Sequence, residues 1–149
     1  MRSLTLLLSI VLATTPVLAA RLGPVTDEAT KTECGACHMV YPAALLPARS
    51  WNALTNDLAN HFGEDASLAP DVTLAIKTYL MENAADVGGK PGRMMRRLPA
   101  DATPLRISEL PSFTREHGKF SDKSMKKIGV VGNCVACHQG ATNGMFDDD

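Results

Sequence analysis

The sequence predicts an all-α fold, and three observations carry that expectation. Apolar side chains recur at helical spacing, as in Trp51, Leu54 and Leu58 and again in Val72, Ile76, Tyr79 and Leu80. Proline and glycine stand where helices open and close, with Pro70 and Pro111 at starts and Gly63 and Gly118 at ends. No stretch alternates apolar and polar residues as a half-buried strand must.

The elements follow in chain order. Met1 and Arg2 precede the mostly apolar run from Leu4 to Leu12, and the small residues Val17 and Ala19 stand where a signal peptidase reads. Residues 1–19 are therefore expected to be a cleaved signal peptide, and the run is too short to span a bilayer. The mature protein is expected to be exported and not to span the membrane. Its 130 residues carry 14 basic against 16 acidic side chains, a balance that gives no support to nucleic-acid binding.

Residues 39–50 hold Pro42 and Pro47 and are expected to be irregular. The segment 50–62 is expected to be one helix, with Trp51, Leu54, Leu58 and His61 on its apolar face and Gly63 as its cap. Pro70 and Asp71 open a second helix ending near Asp86. The stretch 87–104, rich in Gly, Pro and Arg, is the best boundary, dividing the chain into an N-terminal domain (20–88) and a C-terminal one (89–149). A short helix around His117 follows, then one capped by Ser121 or Asp122 and running through Ile128. Asn133 is placed to cap a last helix.

The chemistry lies in a repeated pentapeptide. Cys34-Gly35-Ala36-Cys37-His38 and Cys134-Val135-Ala136-Cys137-His138 use all four cysteines and two of the four histidines. Cys-x-x-Cys-His is the attachment signal for c-type haem. In a helical register the two thiols share a face, where they can form thioethers to the haem vinyl groups, and the next histidine meets the iron. A zinc site or structural disulfides would use the cysteines but not account for a histidine after both pairs, and a thioredoxin-like redox motif would sit in a strand-helix unit whose strand pattern is missing. Two covalent haem c groups are expected, attached at Cys34, Cys37, Cys134 and Cys137, with proximal ligands His38 and His138. With one Trp, two Tyr and four Phe, the chain has few aromatics, and the haems are expected to supply core bulk.

Two histidines and two irons remain. His61 and His117 each sit near the end of an expected helix on an apolar face, and both are assigned as distal ligands, giving two low-potential bis-histidine centres. Methionine is the competing donor, with Met39, Met81, Met94, Met95, Met125 and Met145 available; most methionines fill core gaps. His61 lies 23 positions after His38 and His117 lies 21 before His138, so local pairing joins His61 to the first haem and His117 to the second. A crossed arrangement stays open.

Taken together, the string from Glu33 to Pro42, Leu45 to Trp51, Asn60 to Ser67 and Asn133 to His138 resembles the bacterial dihaem cytochrome c family over almost all of the mature chain. The resemblance implies a periplasmic electron carrier with an N-terminal half like a class I cytochrome c and a smaller haem-binding C-terminal half. It implies the same attachment cysteines and the iron ligands His38, His61, His117 and His138. As partners it implies other redox proteins: an oxygen-binding monohaem cytochrome c or a membrane cytochrome b.

An iron filled on both axial sides has no vacancy for substrate, so outer-sphere electron transfer without catalysis is the expected role. The rivals are a small dihaem subunit of a periplasmic reductase and a haem enzyme or ligand sensor with a labile distal histidine. The basic cluster Lys90, Arg93, Arg96 and Arg97 and the acidic end Asp147-Asp148-Asp149 are candidates for steering a partner by charge.

Overall fold

The computed structural model describes residues 22–88 and 92–146. The expected signal peptide, Lys90 and the acidic end at 147–149 lie outside them. Five α-helices are described: α1 (Glu28–Cys34), α2 (Ala48–Asn56), α3 (Pro70–Glu82), α4 (Pro111–His117) and α5 (Asp122–Ile128), joined by short 3₁₀ turns. Among the described residues no strand forms, and an isolated β-bridge joins His61 to Glu64 within one turn.

Each helix start follows from its sequence. Asp27 caps α1 by accepting from the Thr30 N–H at 2.7 Å, and Ser121 caps α5 by accepting from the Ser124 N–H at 3.1 Å. Pro70 and Pro111 occupy the first turns of α3 and α4, where a missing N–H costs nothing. The start of α2 has a tertiary cap: Asp86 Oδ1 accepts from the Ala48 N–H at 2.8 Å, and its other oxygen takes Arg49 at 3.3 Å. Arg49 also donates to the carbonyls of Ala102 and Pro99. One arginine thereby ties α2 to the expected boundary stretch itself.

The apolar core gathers Leu46, Trp51, Ile76, Leu80, Ala84, Met95 and Leu110, so it draws side chains from both sides of residues 89–91. Trp51 buries its ring and donates Nε1–H to the Ala43 carbonyl at 2.7 Å. Ser112 at the start of α4 donates to the Met94 carbonyl at 2.8 Å. At the ends of the described chain, the Leu22 N–H donates to the Gly144 carbonyl at 2.9 Å.

Three local expectations change. The helix expected over 50–62 stops at Asn56, and Leu58–Asn60 forms a 3₁₀ turn. Asn56, Asp57 and Asn60 have short polar side chains that compete for local hydrogen bonds, and Asn60 bonds Asp57 at 2.6 Å. The second helix ends at Glu82 rather than near Asp86, because the Asn83 amide turns back onto the Tyr79 carbonyl at 2.8 Å. Asn133 caps no helix: its amide donates to the Ile128 carbonyl at 2.9 Å, and Cys134–Ala136 is a single 3₁₀ turn.

Candidate haem centres

The two pentapeptides are held differently. The first begins in the last residue of α1, and its remaining residues follow in the turn after that helix. The second is opened by the 3₁₀ turn, after which the His138 N–H bonds the Cys134 carbonyl at 2.8 Å, restoring the four-residue reach of an α-helix. The one-turn spacing survives in both without a regular helix over either motif. Burial raises the thiol pKa of Cys34, aided by Glu33 and Asp27, and burial likewise raises that of Cys134. Among the described residues no three His, Cys, Asp or Glu converge to hold a single ion, so the four cysteines do not form one zinc cluster.

The four histidines form two pairs. The ring planes of His38 and His61 lie 24° from parallel with centroids 6.2 Å apart, and those of His117 and His138 lie at 87° with centroids 5.9 Å apart. Metal–imidazole bonds of about 2 Å on each side would place the ring centroids about 6 Å apart, so the spacing fits one metal between each pair. The rings nearest each other are those that sequence proximity pairs.

Ring orientation shows which nitrogen each histidine presents. His38 places Nδ1 2.7 Å from the Met39 carbonyl, and His117 places Nδ1 3.1 Å from the Phe113 carbonyl. A carbonyl only accepts, so Nδ1 carries the proton and Nε2 keeps its lone pair for a metal. His61 stands at the tip of a turn, not on a helix face. Its N–H and carbonyl both bond Glu64, and the reversal is made by Phe62 at φ 57° and Gly63 at φ 104°. Burial, with smaller contributions from His38 and Arg106 nearby, lowers the His61 pKa, which favours the neutral ring that a metal needs.

Aromatic side chains that the motif spacing does not announce complete the surroundings. Phe113 stacks on His117 at 4.1 Å and 18°, Phe120 lies 5.9 Å from it, and Phe146 stands edge-on to His138 at 5.7 Å. Phe113, Phe120, Met125 and Val131 line an open groove of about 410 Å³ beside the second pair. An apolar groove next to paired imidazoles suits a flat macrocycle. At the first pair, Phe62 packs 4.9 Å from His61, and the Arg106 guanidinium lies 3.8 Å over the Phe62 ring. Phe113 was recognisable as one helical turn before His117; nothing local in the sequence marks Arg106 or Phe146. None of the six alternative methionines is needed to complete either histidine pair.

An all-α chain with two Cys-x-x-Cys-His motifs, each facing a further histidine, is a c-type haem protein with two centres. The sequence model of the dihaem cytochrome c family matches residues 30–146, and the chain belongs to that family. Among solved structures it is similar to the diheme cytochrome c from Rhodobacter sphaeroides, with 55% identity and a TM-score of 0.79 over 83% of this chain and 99% of that one. A second structure, of DHC purified from Rhodobacter sphaeroides, is 53% identical with a TM-score of 0.71 and the same coverage. The diheme cytochrome type c from Shewanella baltica OS155 is 38% identical with a TM-score of 0.64, covering 80% of this chain and 86% of that one. No curated protein sequence matches. Family membership carries two covalently bound haem c groups, for which the four cysteines provide attachment, and the general role of an electron-transfer haem protein.

Proposed function

We propose that the chain is an exported periplasmic electron carrier whose irons are each held between two histidines, His38 with His61 and His117 with His138. The observation that carries this reading is the pair of ring separations near 6 Å. Two imidazole donors per iron set low potentials relative to methionine ligation, and an iron with both axial sites filled exchanges electrons without binding substrate. Attachment runs through Cys34 and Cys37 for the first haem and Cys134 and Cys137 for the second. The seating of residues 20–88 and 89–149 as two haem-binding parts belongs to the same proposal.

Export rests on residues 1–19, and among the described residues no helix is long and apolar enough to cross a membrane. For partners we take other redox proteins, an oxygen-binding monohaem cytochrome c or a membrane cytochrome b. The exposed Arg96 and Arg97, next to Arg93 and its Glu116 partner at 3.4 Å, offer a positive edge for an acidic surface.

Electron paramagnetic resonance of the oxidised protein tests the ligation. Two low-spin bis-imidazole signals are expected, and a high-spin signal would overturn it. A second reading, ligand exchange at one iron, is favoured at the first centre by a single observation: His61 Nδ1 is buried without a protein hydrogen-bond partner. A ligand lacking that outer bond is a weaker donor. Carbon monoxide binding by the reduced protein at the first haem would support this reading, and its absence would remove it.

A further inference from the structure

We infer that Tyr41 is the positioning residue that sets the electronic coupling between the two haems, through contact with His38 of the first motif at its ring and with the Gly132 peptide just before the second motif at its hydroxyl. The ring of Tyr41 stacks on His38 with centroids 5.0 Å apart at 29°. Its hydroxyl donates to the Gly132 carbonyl at 2.8 Å, a bond spanning 91 positions of sequence. Gly132 lies two residues before Cys134, whose thiol reaches the same carbonyl at 3.4 Å. One rigid side chain thus touches the expected proximal ligand of the first haem and the peptide that carries the attachment of the second.

The local structure is built around this contact. Tyr41 stands just before the buried Pro42, which leads into the 3₁₀ turn Ala43–Leu45, so its backbone is fixed from the core side. On the other side, a β-carbon on Gly132 would lie 2.6 Å from the Tyr41 hydroxyl, so any larger residue there would push the phenol out of its present place. Thioether formation removes the Cys134 S–H. The Gly132 carbonyl then depends on Tyr41 alone of these two donors, so haem attachment makes the contact more important to the fold.

The inference rests on His38 as an iron ligand and Cys134 as an attachment point. The step it concerns is transfer of one electron, with one iron passing from the ferrous to the ferric state and the other the reverse. No proton moves, because the phenol keeps its own.

The test uses the full holoprotein and its Tyr41→Phe, Tyr41→Leu and Gly132→Ala variants. Interhaem electron transfer is followed after rapid partial reduction, alongside the separation of the two midpoint potentials. Tyr41→Phe keeps the stack but loses the anchor and should slow transfer by roughly two- to tenfold, the factor by which loss of one net hydrogen bond loosens a closed contact. Tyr41→Leu should slow it further. Gly132→Ala, with the phenol intact but pushed away, should match Tyr41→Phe and guards against a variant that simply fails to fold. Unchanged transfer in both Tyr41 variants, with both haems low-spin, overturns the inference. A high-spin signal in the unmodified protein would instead overturn the ligation beneath it, so the two failures are distinguishable.

Discussion

Phe113 should control how firmly His117 holds its place. Phe113 and His117 are four residues apart on α4, which puts one ring over the other, and they stack at 4.1 Å and 18°. Replacing Phe113 with leucine keeps the helix, the apolar volume and the backbone carbonyl that accepts from His117 Nδ1. It removes only the ring face. Aromatic stacking of this kind contributes about 0.5–1.5 kcal/mol beyond area burial. His117 is exposed in the structure, so the lower half of that range applies. At 1.36 kcal/mol per tenfold, this amounts to about a two- to fivefold rise in the fraction of molecules with His117 displaced. The assay is the extent of carbon monoxide binding at the second haem of the reduced protein, compared among the native chain, Phe113→Leu and His117→Ala. Phe113→Leu should bind two- to fivefold more than the native chain, and His117→Ala should bind fully. If Phe113→Leu matches the native chain while His117→Ala binds fully, the ring does not steady the ligand and the reasoning fails.

Three further outcomes are expected. The double variant Cys134→Ala/Cys137→Ala should lose one haem from its intact mass while the first remains, read by mass spectrometry of the purified chain. Leu110 is fully buried in the core that residues before and after the 89–91 segment share, so Leu110→Ala should cost about 2–5 kcal/mol and melt both parts in one transition followed by circular dichroism. Asp27 has its pKa lowered first by the Thr30 N–H, so the cap stabilises α1 above the ordinary carboxylate pKa, and that contribution is lost as pH falls through the depressed folded value. Asp27→Asn keeps an accepting oxygen, and its thermal stability should show a smaller acid-side decline than the native chain does over the same pH range.

The all-α class, the start of α3 at Pro70, the short helix ending at His117 and the Ser121 cap were legible because each has a local cause within a few residues. So were the histidine pairs, since short sequence separation favours local closure. Helix α1 has a local cause too, since Asp27, Glu28 and Lys31 spell a capped first turn, but its seven residues show no apolar periodicity. The early end of α2 was hidden because apolar spacing continues through Leu58 while the Asn and Asp side chains, not the apolar face, decide where the backbone turns. Asp86 capping α2, Arg49 holding the carbonyls of Pro99 and Ala102, and Tyr41 meeting Gly132 were out of reach for a different reason. Each joins residues 37 or more positions apart, and no window of sequence contains both partners.

The two histidine pairs differ in one respect that their spacing conceals: the first has nearly parallel ring planes and the second nearly perpendicular ones. Parallel imidazoles act on the same d orbital of an enclosed metal and split its near-degenerate pair, whereas crossed imidazoles act on both and leave them close in energy. Each centre would therefore carry its own magnetic fingerprint, and the order in which they fill with electrons could be followed in the native chain without altering a residue.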